Sequence, residues 1–205
     1  MDIGIIGAGN IGGTLARLLA NAGHTVTIAN SRGPQTLSDL VDGQPSITAG
    51  TIEEAAQFGQ VAIEAVPMKA IPDLPAAPFA DKIVISASNY YPDRDGQIAF
   101  DGMTQTAWVA DHLSASRVVK AFNTIWFQHL ADLGDTDKEE EDRRVIPLAG
   151  DDAGANHVVA ELIRDIGFAP LDAGSLSHGG RRMEPGTPIY NVDLTLREAR
   201  PVLIG

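Results

Sequence analysis

The chain has no cysteine, which excludes disulfides, thiolate nucleophiles and cysteine-ligated metal centres and fits a reducing interior. Basic residues are scarce: 15 Lys and Arg stand against 27 Asp and Glu, a net charge of −12. Binding to a nucleic-acid backbone is driven by clustered cations that displace counterions, so this balance argues against a nucleic-acid partner. No apolar stretch is long enough to span a bilayer, and the first residues lack the basic start and apolar core of a signal peptide. The expectation is a cytoplasmic protein with no membrane partner. His24, His112, His129, His157 and His178 show no close spacing with carboxylates, so no catalytic metal is expected.

What the chain does have is apolar material in short, ordered pieces. With 205 residues, 44% of them hydrophobic, it can bury a sizeable core. The opening, Asp2 to Ile6, is an apolar run of strand length that reaches Gly7, Gly9 and Gly12 in the G-x-G-x-x-G order, with Asn10 and Ile11 between the last two. Leu15, Leu18 and Leu19 follow at helical spacing. Strand, tight turn and helix give this motif the context it needs. Gly7 suits the turn, Gly9 permits close approach of a pyrophosphate, and Gly12 lets helix and strand pack closely. Helix N-terminal amides then hold phosphate charge.

The residues after the second predicted strand, Thr25 to Ala29, bear on which dinucleotide binds. An NAD site places Asp or Glu about twenty residues past the glycines to hold the ribose hydroxyls. Here the chain reads Asn30-Ser31-Arg32. A carboxylate would repel a 2′-phosphate, whereas Arg32 offers a planar fork of donors and Ser31 a hydroxyl, so NADP(H) is favoured. Ser31 or a neighbour can also cap the short helix begun by Gly33-Pro34.

Further strands are expected at Ile47–Thr51, Val61–Val66, Lys82–Ser86, Arg117–Phe122, Val145–Gly150 and Phe168–Leu171, alternating with helices. This is an α/β chain with a mainly parallel sheet and helices on both faces. Ligands of such sheets bind at the carboxyl ends of strands, which nominates Val66, Pro67 and Met68, then Asn89, as cofactor contacts. Lys69 can neutralise phosphate or be a solvated loop lysine. Asn123 and Thr124 end the Arg117 strand and should close over the nicotinamide; Trp126 and Phe127 beside them can also be ordinary core aromatics. The charge-dense stretch Asp135 to Arg144 reads as a solvated, mobile loop. The glycine-rich tail carrying His178, Arg181 and Arg182 is where a second ligand could sit.

Taken together, these segments resemble the NADPH-dependent coenzyme F420 reductases, also called F420-dependent NADP oxidoreductases. The resemblance rests on Ile3 to Gly12, Asn30-Ser31-Arg32, Ala65-Val66-Pro67, Val118 to Thr124, and Ile166-Gly167-Phe168 through Met183-Glu184-Pro185. It implies a doubly wound Rossmann domain over residues 1–143 and a small C-terminal α/β extension over residues 144–205. It also implies a homodimer and hydride transfer between NADP(H) and a deazaflavin, coenzyme F420, or a flavin acceptor. Two aligned rings need no strong acid or base, so no catalytic side chain is expected. A β-hydroxyacid or imine dehydrogenase would need a longer helical C-terminal domain, and a non-catalytic NADP(H) sensor would share the glycine motif.

Overall fold

The structure is a computed structural model describing residues 1–203. Its centre is one eight-stranded sheet built from β1 (Asp2–Ile6), β2 (Thr25–Ala29), β3 (Ile47–Ala49), β4 (Val61–Glu64), β5 (Ile83–Ser86), β6 (Arg117–Ala121), β7 (Val145–Gly150) and β8 (Ala169–Asp172). The spatial order is β3-β2-β1-β4-β5-β6-β7-β8. The first six strands are parallel, the doubly wound order expected of a Rossmann sheet, and β7 runs antiparallel to β6 with β8 parallel to β7. The C-terminal segment therefore continues the same sheet.

The strands are apolar on both sides because helices cover both. Side chains alternate across the pleat, so Ile3, Ile5, Ile63, Ile85 and Val119 enter one core while Ile6, Ala62, Val84 and Val118 enter the other. The first core is closed by α1 (Asn10–Asn21), α6 (Phe127–Asp132) and α7 (Ala153–Asp165). The second is closed by α3 (Ile52–Phe58) and α5 (Gln105–His112). Leu15 and Leu19 of α1 are fully buried, and truncating either to Ala should cost about 2–5 kcal/mol. Gly23, at φ +93°, ends α1 in the left-handed conformation that its residue type favours. Asp152 caps α7, accepting from the Ala155 N–H at 2.7 Å, and Thr51 with Glu54 forms a capping box on α3.

The other α-helices among the described residues are α2 (Ser38–Val41), α4 (Pro92–Asp95), α8 (Gly179–Arg182) and α9 (Leu196–Leu203). The turn at Pro34–Leu37 begins after Gly33 without a side-chain cap, so Ser31 does not cap it. Thr36 instead donates back to the Gly33 carbonyl at 2.8 Å.

The acidic stretch Asp135 to Arg144 is not the free loop its charge predicts. Glu140–Asp142 forms a 3-10 turn held by Arg164 on Glu140 at 2.7 Å, Arg200 on Glu141 at 2.7 Å and Arg197 on Asp142 at 3.4 Å. Charge density alone could not reveal that three arginines from α7 and α9 lie opposite.

Candidate functional site

The glycine turn has the geometry its spacing predicts. Gly7 sits at φ +109° and a Cβ there would come within 2.3 Å of the Ala65 carbonyl oxygen; a Cβ on Gly12 would come within 1.8 Å of the Gly7 carbonyl oxygen. Both positions need glycine for packing. Gly9 differs, since a Cβ on it meets nothing within 4 Å and the residue is exposed at the N-cap of α1. That open face is the approach a pyrophosphate needs, so the residues present fit a dinucleotide.

A cavity of about 460 Å³ starts at this turn and crosses the carboxyl edge of the sheet. Its walls are Gly9, Asn10 and Ile11 after β1, Ala65, Val66 and Pro67 after β4, Ala87, Ser88 and Asn89 after β5, and Phe122 and Asn123 after β6. Trp126, Tyr91 and Tyr190 rim it. The cavity therefore runs along the carboxyl edge from the glycine turn after β1 to the ends of β4, β5 and β6. On the other side of β1, at the end of β2, Asn30 accepts from the Arg32 N–H at 2.9 Å and its amide donates to Thr36 at 2.9 Å. This Asx turn presents exposed Ser31 and Arg32 on a shelf outside the cavity, and Arg32 makes no ion pair among the described residues.

At the far end Phe122, buried and at φ +62°, turns the chain sharply after β6. Such a conformation costs a bulky residue about 1–3 kcal/mol and persists only where packing enforces it. It places Asn123 against Asn89. The Asn89 amide donates to the Asn123 carbonyl at 2.7 Å, while the Asn123 amide donates to the Asn89 side-chain oxygen at 3.0 Å and to the Met183 carbonyl at 2.7 Å. Arg94 donates to the Asn89 carbonyl at 2.6 Å and lies 4.9 Å from the centroid of the Tyr91 ring. The Tyr91 and Tyr190 hydroxyls are hydrogen-bonded across the mouth, and burial pushes the Tyr190 phenol upward, with Tyr91 adding to the effect, so it stays protonated. Trp126 is half-exposed at this rim, edge-on to Phe127, and is not a core aromatic.

Gly9, Asn10, Ile11, Val66, Pro67, Asn89 and Asn123 are thus brought together by the fold. Met68 is not: it is fully buried in the second core, because the 3-10 turn Met68–Asp73 starts immediately after Pro67 and directs it inward. Lys69 is exposed. Thr124 is fully buried away from the cavity wall and serves through its carbonyl, which accepts from the Asn191 N–H at 3.0 Å. His178, Arg181 and Arg182 line a separate cavity with Thr187, Ile189 and Val202. The reason is topological. Strand β8 runs against β6, so the tail leaves it heading away from the carboxyl edge and reaches the first cavity only at Tyr190 and Asn191.

Beneath the cavity floor lies a feature that pattern reading passed over. Glu64, Ser86 and Lys120 are in register on adjacent strands and all fully buried. Glu64 accepts from the Val66 N–H and Ser86 hydroxyl, both at 2.9 Å, and from Ser88. Lys120 donates to Thr106 at 2.9 Å. Burial pushes the Glu64 carboxyl up from its ordinary range, and pushes the Lys120 amine down to about 8 against the pull of Glu184 and Glu64. The available signal was a lone charge inside each apolar strand, Val61-Ala62-Ile63-Glu64 and Val118-Val119-Lys120-Ala121.

Comparison with known proteins agrees with this geometry. The profile of the family described as NADP oxidoreductase coenzyme F420-dependent matches residues 2–90. A hypothetical protein from Sinorhizobium meliloti is 36% identical, with 95% of each chain covered and a TM-score of 0.83. Residues 2–90 of this Rossmann fold are thus related to the F420-dependent NADP oxidoreductase family. A candidate F420-dependent NADP-reductase from Arthrobacter sp. FB24 shares the fold at 22% identity and a TM-score of 0.75, over 95% of this chain and 99% of that one. Metalloreductase STEAP3 of Rattus norvegicus is 32% identical over 85% of this chain, which spans 34% of that protein's length. The family profile covers the glycine turn, the Arg32 shelf and the Asn89 wall. The aromatic rim beyond Asn89 lies outside it.

Proposed function

We propose that this protein transfers hydride between NADP(H) and a planar acceptor of the deazaflavin or flavin type. The observation that carries the reading is one continuous cavity, opening on the glycine turn at one end and rimmed by Tyr91, Trp126 and Tyr190 at the other. NADP(H), when bound, supplies the hydride donor or acceptor at its nicotinamide ring. The chain's part is to orient. Gly9, Asn10 and Ile11 receive the phosphates, and Ser31 with Arg32 receives the 2′-phosphate. Val66, Pro67 and Asn89 position the nicotinamide half, and the aromatic rim with Arg94 sets a second ring against it.

On this reading residues 1–143 bind the cofactor and residues 144–205 complete the acceptor site through Tyr190 and Asn191, in a cytoplasmic homodimer. Coenzyme F420 is supported by the family profile, and flavin belongs to the same class of planar acceptor. The test is steady NADPH oxidation on separate addition of coenzyme F420, FMN and FAD. Turnover with one of them is the expected result. Tight NADPH binding with no turnover across that panel would replace the enzyme by an NADP(H)-binding sensor.

A further inference from the structure

Glu64 is the last residue of β4, and the residues on its two covalent and hydrogen-bonded sides, Ala65 with Val66 and Ser88, are cavity wall. Its side chain has no exposure and no ion pair within 4 Å among the described residues. The partners that face it are Ser86 from β5, Ser88 and the Val66 N–H from the loops above, and on β1 the register neighbour Ile6, which carries no charge. Lys120, one strand beyond Ser86, is the charged group that acts on it from a distance, and Glu184 acts on Lys120 from the tail. A carboxyl so placed lies under the half of the cavity where the NADP(H) reading puts the nicotinamide.

The two forms of that ring differ by one charge: oxidised nicotinamide is cationic, reduced nicotinamide is neutral. We infer that Glu64 is a redox-state-sensing carboxyl, protonated beneath reduced cofactor and ionised beneath oxidised cofactor. This rests on the NADP(H) reading above. Binding of NADP⁺ then expels the Glu64 proton to solvent, leaving a carboxylate held by the Val66 N–H, Ser86 and Ser88. Binding of NADPH expels none from this group. The three donors around the carboxyl can stabilise either form, because the two hydroxyls can rotate to donate to a carboxylate or to accept from a carboxylic acid. Burial disfavours the carboxylate until a cation arrives overhead, which is the condition for such a response. Glu64 touches no ligand in this scheme; it positions the balance between the two cofactor forms through the ring's charge.

The test counts protons. Titration calorimetry of the whole protein with NADP⁺ and with NADPH, each in two buffers of different ionisation enthalpy near pH 7, gives the protons released per cofactor. The 2′-phosphate is common to both, so its contribution cancels in the difference. NADP⁺ should release about half a proton or more beyond NADPH. In Glu64→Gln that difference should vanish, and the ratio of NADP⁺ to NADPH dissociation constants should rise at least about fivefold. An infrared difference spectrum of the unmodified protein gives a second readout, independent of whether the variant folds: the protonated-carboxyl band should be lost with NADP⁺ and kept with NADPH. Equal proton release for the two cofactors, or a difference that survives in Glu64→Gln, would overturn the inference while leaving the NADP(H) reading intact. Failure of both cofactors to bind would remove both together.

Discussion

The two ends of the cavity are built by different means. On the proposed reading the phosphate end is backbone: a glycine turn and the first amides of α1, with the exposed Asx turn carrying Arg32 on a shelf outside it. The ring end is side chain: Asn89, Tyr91, Arg94, Asn123, Trp126 and Tyr190, contributed by three separate parts of the chain and underlain by buried charge. A diphosphate is recognised by dipoles that any strand-turn-helix can supply, so its site is local. A flat acceptor is recognised by a shaped chamber, which only long-range packing can make.

The sharpest way to break this comparison is to alter two glycines of the same turn. Gly12→Ala drives a Cβ into the Gly7 carbonyl and should destabilise the fold by about 3 kcal/mol, read as a large fall in thermal midpoint. Gly9→Ala meets no protein atom, so it should cost under about 1 kcal/mol of stability yet weaken NADPH binding about tenfold or more. If Gly9→Ala binds NADPH normally, the open face of the turn is not the phosphate site.

The ring end is probed by the pH dependence of stability. The Lys120 amine loses its proton near 8 in the folded chain and near its ordinary 10.5 in the unfolded chain. Between those values the unfolded state holds more protons, so stability should rise with pH over that window, by on the order of 2–3 kcal/mol; below about 8 this group adds no slope. Lys120→Met should abolish the rise, measured by urea denaturation at pH 8 and pH 10. A slope identical to that of the unmodified protein would mean the buried amine is not its source.

Smaller effects belong to exposed groups. Arg32→Ala should cut the preference for NADPH over NADH about tenfold, roughly 1.4 kcal/mol, with stability changed by less than about 0.5 kcal/mol. An unchanged preference would remove the 2′-phosphate from this shelf. Arg200→Ala breaks an exposed pair with Glu141, neither of which lines the cavity, and should cost under about 0.5 kcal/mol, with no change in cofactor binding.

These contrasts explain what pattern reading could reach. Gly7, Gly9 and Gly12 are legible because their spacing is a local motif: Gly7 and Gly12 answer to close backbone packing, and Gly9 leaves an open face. The strands are legible because burial on both faces makes them continuous apolar runs. Met68 misled because its position after Val66-Pro67 looks like a cavity lip, while the turn it begins sends it into the core. His178, Arg181 and Arg182 misled because a basic, glycine-rich tail looks like a ligand loop, while the reversal of β7 and β8 carries it past the first cavity before Tyr190 returns. Asp135 to Arg144 misled because its arginine partners are distant in sequence.

The amino-acid sequence by itself determined the α/β class, the glycine turn, the absence of an acidic ribose-binding residue and the resemblance to the NADP oxidoreductases, since each depends on short-range spacing or residue type. Only the tertiary structure decided which polar strand ends share one cavity, that Tyr91 and Tyr190 meet across its mouth, and that Glu64 and Lys120 lie buried in register below it. Those facts depend on strand order and direction, which bring together residues as far apart as Tyr91 and Tyr190 and are invisible in any local window.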